Sequence, residues 1–186
     1  IAMGKYNDGT PRARDALTQR LYAGMKQAAA NTRYAPVGRI IWRMVPLHLP
    51  LRDDGVFNDE KSREVIANVA APNSRRLEAA EYLAFARRID TPILVTSLQV
   101  GDLFLLHLPA EAFVEYQLYA QEITPNRFTA VAAFGEYDPV YICTKNAFGE
   151  GGYEPTESMS GLECETVLKE AIRKALGVED DGKRQE

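Results

Sequence analysis

Ile93-Leu94-Val95-Thr96-Ser97-Leu98-Gln99-Val100-Gly101-Asp102-Leu103-Phe104-Leu105-Leu106-His107-Leu108 decides the fold class of this chain. Two aliphatic runs flank Gly101-Asp102, a pair suited to a tight turn, so the stretch reads as a β-hairpin. Its second run is apolar on both faces, which predicts a central strand covered on both sides. A helical pattern over 110–122 follows, and Phe128-Thr129-Ala130-Val131-Ala132-Ala133-Phe134 reads as another buried strand. Strand, helix and strand in that order imply a right-handed crossover and a parallel pair. The predicted class is α/β: a mixed, largely buried sheet with a βαβ crossover and helices packed on its faces.

Upstream, residues 4–10 read as a polar loop, and Thr10-Pro11 as an N-cap with proline at the first helical position of a helix reaching about residue 31. Arg39-Ile40-Ile41-Trp42-Arg43-Met44-Val45 is a strand, with Trp42 packed. Pro46 and Pro50 put its second half, with Leu47, His48 and Leu49, either at an edge or in an extended segment. Two helices follow, 57–70 capped by Asn58 or Asp59 with Val65, Ile66 and Val69 inward, and 75–89 opened by Asn73 or Ser74. Downstream the pattern predicts a short strand at 140–143, a Gly-rich turn at 149–152 and a helix over 160–176. One α/β domain over 1–177, the C-terminal part of a larger catalytic domain, and a polar flexible tail at 178–186 are expected.

Composition narrows the function classes. The chain is 46% hydrophobic and 26% charged, which excludes wholesale disorder. A net charge of −4 gives no sign of a nucleic-acid partner or of affinity for anionic membrane surfaces. No apolar run approaches the ~20 residues of a transmembrane helix. Two cysteines, Cys143 and Cys164, make no disulfide framework and are expected as small buried hydrophobes. Residue 1 is isoleucine and no signal peptide is visible, which suggests a processed or truncated chain.

Two segments carry the chemistry. Leu108-Pro109-Ala110-Glu111 and Pro139-Val140-Tyr141-Ile142-Cys143-Thr144-Lys145, the latter running on to Glu150-Gly151-Gly152-Tyr153, each hand a polar side chain from a strand to a loop or helix end. Such points are where α/β proteins tend to place their sites. In order and spacing these segments, with the hairpin before them, resemble the neutral/alkaline (non-lysosomal) ceramidase family of zinc amidohydrolases. The opening Gly4-Lys5-Tyr6-Asn7-Asp8-Gly9 is similar to the middle of many bacterial members.

The resemblance implies the following. Glu111 and Tyr141 are metal ligands, and Tyr153, twelve positions after Tyr141, stabilises the reacting carbonyl oxygen. The two histidine ligands of the zinc and the serine nucleophile lie in an upstream half that this chain lacks. The implied substrate is an amide-containing lipid such as an N-acylsphingosine, or another small molecule. Zinc belongs to the complete enzyme and binds weakly or not at all here, because two oxygen ligands make no tight site. Docking of the missing half, or of a second chain, is a further implication. Family members are often secreted or periplasmic. Glu136-Tyr137-Asp138-Pro139 replaces the family's small, Asn-containing stretch, and Lys145 stands in place of an arginine.

Read without the resemblance, each residue has a plainer account. Glu111 suits a first helical turn through the helix dipole alone. Tyr141 and Tyr153 suit half-buried tyrosines whose hydroxyls find a partner. His107 reads as a satisfied core histidine and His48 as a surface or edge residue; Asp138 and Glu136 are either solvated or acid–base groups near Tyr141. The alternative to an enzyme is a non-catalytic binding module on the same fold.

Overall fold

The computed structural model describes residues 8–34, 36–135 and 140–178. The chain divides into two compact units, Ile1–Gly38 and Arg39–Glu186. In the first, helix α1 spans Pro11–Ala30. Thr10 caps it as predicted: its hydroxyl oxygen accepts the Ala13 N–H at 3.2 Å. Asp8 in turn accepts both the Thr10 N–H and the Thr10 hydroxyl, which holds the Asp8 carboxyl below its usual range.

In the second unit, β1 (Ile40–Leu47) leads to α2 (Asp59–Ala67) and α3 (Asn73–Arg87). There follow β2 (Ile93–Val100), β3 (Leu103–His107), β4 (Glu111–Ala112), α4 (Val114–Glu122) and β5 (Phe128–Ala132). The chain ends with β6 (Tyr141–Ile142), α5 (Lys145–Glu150), α6 (Tyr153–Glu157) and α7 (Cys164–Leu176). Four strands form one sheet in the order β1-β2-β3-β5, and β4 pairs with β6 in a separate two-stranded sheet. The hairpin closes with Val100 opposite Leu103, and Gly101 takes the left-handed φ of 60° that its turn demands. β3 and β5 run parallel, as the strand-helix-strand order predicts. The proline-bearing strand β1 is an edge strand and pairs with β2 alone.

One face of the main sheet is buried. Helix α7 packs across β1, β2 and β3, and α4 packs on β5 and α7. Val95, Phe104 and Leu106 from the strands meet Leu168, Ile172, Ala175 and Leu176 in a single core. Ser97 reaches out of the sheet within this layer and donates its hydroxyl to the Ala175 carbonyl, one of the orphan acceptors of the α7 C-terminus. Gly177 ends α7 in the left-handed region at φ 67°. The α2–α3 pair adds Tyr82, Leu83 and Phe85 to the same core beside Leu49, Phe57 and Ile93.

Several expectations need correction. β3 is central but not covered on both sides: Leu103 and Leu105 are each 42% exposed, because no layer among the described residues of their own unit lies over them. Trp42 shares that open face and is 57% exposed rather than packed. Val69 lies beyond the end of α2 and is exposed, not inward. The helix read over 110–122 begins only at Val114; Glu111 and Ala112 pair as strand instead. The glycine-rich 149–152 segment is entered by a helix, α5, capped by Thr144. The last helix starts at Cys164 rather than 160. Both cysteines are free and buried, as expected, and burial pushes the Cys143 thiol up to about 12. Residues 179–186 of the predicted tail, and Glu136 and Asp138, lie outside the described residues, while Val178 packs against the core.

Candidate functional site

The two predicted ligands are direct neighbours. Glu111 on β4 stands opposite Tyr141 on β6 in a parallel ladder, with Ala112 opposite Ile142. The Glu111 N–H donates to the Val140 carbonyl at 2.9 Å, and the Phe113 N–H to the Ile142 carbonyl at 3.3 Å. Paired positions in a ladder place their side chains on the same face, so the carboxylate and the phenol share one side of the small sheet.

The backbone is forced to make this pairing. Ala110, immediately before Glu111, has φ 52°, and Val140, immediately before Tyr141, has φ 56°. For a β-branched residue a left-handed φ is a strong outlier, costing about 1–3 kcal/mol. Such outliers persist only where the surroundings over-determine them, and they cluster at functional sites. Here each re-aims the chain one residue before a candidate ligand. The Phe134 N–H, donated to the Ala110 carbonyl at 2.8 Å, holds the first of the two bends.

Tyr153 joins the pair. It opens α6, is 65% exposed, and meets the Tyr141 ring edge-on with centroids 6.0 Å apart and an interplanar angle of 78°. Desolvation raises the Tyr141 phenol above its ordinary pKa, and the charge of Glu111 raises it further, with Tyr153, Glu154 and Glu157 adding to the effect. At neutral pH the phenol is therefore protonated and able to donate. All three predicted site residues thus lie together, two on strands and one at a helix start.

The segment carrying Tyr141 is anchored from below. Ser158, fully buried, donates its hydroxyl to the Tyr141 carbonyl at 2.8 Å. Tyr116, also fully buried, donates to the Cys143 carbonyl at 2.8 Å, and the Cys164 thiol points at the same oxygen at 3.2 Å. Burial drives the Tyr116 phenol far above its usual value, so it stays protonated and keeps its O–H for the Cys143 carbonyl. Arg52 ties in the loop that bears Ser158. Its guanidinium donates to the Pro155 carbonyl at 2.5 Å and the Ser158 carbonyl at 3.3 Å, and stacks between the Phe57 and Phe148 rings at 4.6 and 5.5 Å. Sequence reasoning missed Arg52, Tyr116 and Ser158. Their partners stand 17 to 106 positions away, and no local pattern marks such contacts.

His107 sits at the end of β3, partly buried, with its ring against Gly135. His48 is exposed, its Nδ1 3.5 Å from the Ile89 carbonyl. Among the described residues no three His, Cys, Asp or Glu side chains come together in a group able to hold a metal ion, and no helix is long and apolar enough to cross a membrane.

No family model matches this sequence, and no curated protein matches it. Solved structures do. The chain is similar to a neutral ceramidase from Pseudomonas aeruginosa, with a TM-score of 0.55 and 14% identity over 95% of this chain and 36% of that one. It is also similar to a ceramidase complexed with C2, with a TM-score of 0.54 and 15% identity over 90% of this chain and 35% of that one. At such identity the likeness shows a common, ceramidase-like fold. The chain spans about a third of the length of these structures.

Proposed function

We propose that this chain is the downstream part of a zinc-dependent amidohydrolase domain acting on an amide-containing lipid, as the name ceramidase suggests for its structural neighbours. The observation that carries the reading is the Glu111–Tyr141 ladder, in which two strained residues aim a carboxylate and a phenol to one side.

The donor set fits half of a catalytic zinc site. A carboxylate and a tyrosine oxygen are hard ligands of the kind zinc accepts beside nitrogen donors, and catalytic sites leave one position open. In this structure the Tyr141 oxygen carries its proton, which a bound cation would displace. Glu111 and Tyr141 would hold the ion from this side, and the histidine ligands and serine nucleophile would come from an upstream half. The chemistry zinc supplies there is polarisation of the amide carbonyl, worth several kcal/mol of charge stabilisation. Tyr153, exposed at the start of α6 beside Tyr141, would offer its hydroxyl to the developing oxyanion, the placement such sites use. Ser158, Tyr116 and Arg52 hold the Tyr141 segment in place while this happens, since a loose ligand shell costs rate steeply.

Zinc content decides the matter. The protein from its whole open reading frame should retain about one zinc, and Glu111→Ala should lose most of it. Second-ligand loss in Tyr141→Phe should lower affinity without unfolding the protein. The 186-residue chain alone should neither retain zinc nor hydrolyse ceramide; robust hydrolysis by it would refute the division of the site. A full-length protein that folds without zinc and is indifferent to Glu111→Ala would instead be a non-catalytic binding module.

A further inference from the structure

The main sheet has a face that nothing among the described residues of its own unit covers. Ladder partners share a face, so the register defines its rows. Ile40, Val100, Leu103 and Phe128 form one row, and Trp42, Leu98, Leu105 and Ala130 the next. All eight positions are apolar. Six side chains on this face, those of Ile40, Trp42, Met44, Leu103, Leu105 and Phe128, are 42 to 68% exposed. At roughly 100 Å² apiece they present on the order of 600 Å², the upper end for the largest apolar patch of a monomer and close to one side of a standard interface.

We propose that this face is an interior surface, covered by an uncharged, apolar layer from the upstream half of the same protein. The inference rests on the reading of the chain as a downstream part. Two observations favour that occupant. The structures of like fold are about three times as long as the matched region, so each has further polypeptide available to form such a layer. The face also leads to the site: the next row holds Thr96, His107 and Ala132, and His107 lies four residues before Glu111. A layer seated on Trp42 and Leu105 therefore continues toward the end of β3, which the chain leaves to reach Glu111. With no charge in either row, the face offers nothing to a nucleic acid or a charged peptide.

The test is Leu105→Lys, with Leu105→Ala as the milder variant in case the first fails to fold, each made in the 186-residue chain and in the protein of the whole open reading frame. In the short chain Tm should shift by no more than about 2 °C, as for a surface change. In the longer protein the fall should be about 5 °C or more, as for a core position. Trp42 is the single tryptophan of the chain, so its emission in the short form should be that of a water-exposed indole. Equal, small Tm shifts in both forms would overturn the proposal, as would a reading frame that starts at residue 1. So would a dimer of the short chain that Leu105→Lys dissociates, since a second copy would then be the occupant. Zinc content reads the ligand assignment separately: a longer protein that shields Leu105 yet retains no zinc leaves this proposal standing and removes the metal.

Discussion

Gly135→Ala is the sharpest probe of the backbone around the candidate site. A Cβ added at Gly135 would lie 2.5 Å from both Cε1 and Nε2 of His107 and 2.8 Å from the Leu108 carbonyl oxygen. Ordinary carbon contacts sit near 3.5–4.0 Å, so the ring must retreat by about 1 Å. The carbonyl cannot easily follow, because it accepts the Gly135 N–H at 3.2 Å, and the Leu108 N–H is itself fixed to the Ala132 carbonyl at 2.8 Å. Overpacking of this kind costs about 1–3 kcal/mol. Restricting the unfolded chain returns about 0.4–1 kcal/mol. The net loss is about 1–2 kcal/mol, a Tm lower by roughly 2–8 °C for a chain of this size. Thermal unfolding followed by circular dichroism reads it. A double-mutant cycle with His107→Ala locates the cause: removing the ring should recover at least about 0.5 kcal/mol of the loss, the remainder belonging to the Leu108 carbonyl. An unchanged Tm for Gly135→Ala, or strictly additive losses in the cycle, would refute the packing described between β3 and the segment that approaches β6.

Other outcomes follow from single contacts. Ser97→Ala strands the buried Ala175 carbonyl and should cost about 1–3 kcal/mol in urea unfolding, with the loss concentrated in slowed protection of α7 amides in hydrogen exchange. Tyr116→Phe removes one of two donors to the Cys143 carbonyl while keeping the ring packed, so a smaller loss of about 0.5–1.5 kcal/mol is expected by the same measurement. Burial works to raise the Glu165 carboxyl, but the Lys169 ammonium and the Lys145 N–H outweigh it, and the net shift is downward. A depressed folded pKa gives stability that is fully present above the unfolded value of about 4.3 and is lost as pH falls through the folded one. Glu165→Gln should therefore flatten the acid limb of a stability–pH curve and leave its slope near neutrality unchanged.

The hairpin, the parallel pair and the N-cap of α1 were legible because each rests on local chemistry: a Gly101 turn, strand-length apolar runs, and Thr10 before Pro11. The nearness of Glu111, Tyr141 and Tyr153 was reached only through resemblance, since no periodicity links positions 111 and 141. What misled was inference from apolar content to coverage. Leu103, Leu105 and Trp42 look like core residues by composition, yet burial depends on a layer that a strand cannot announce. Glu111 misled in the opposite way. Its helical surroundings read as a first turn, but the Val140 and Ile142 carbonyls compete for its segment and win it as strand. With Glu111 outside α4, the helix-dipole account of that carboxylate no longer applies.

The two-rung ladder is hydrogen-bonded as a sheet of its own, separate from the four-stranded one, and that has a consequence for change over time. A substitution that repacks the large sheet alters the distance between the strands of that sheet, not the spacing of Glu111 and Tyr141, which is set by their own pair of rungs. The scaffold is thereby free to drift while that pair of residues stays in register, and two chains can come to share architecture with few identical letters between them.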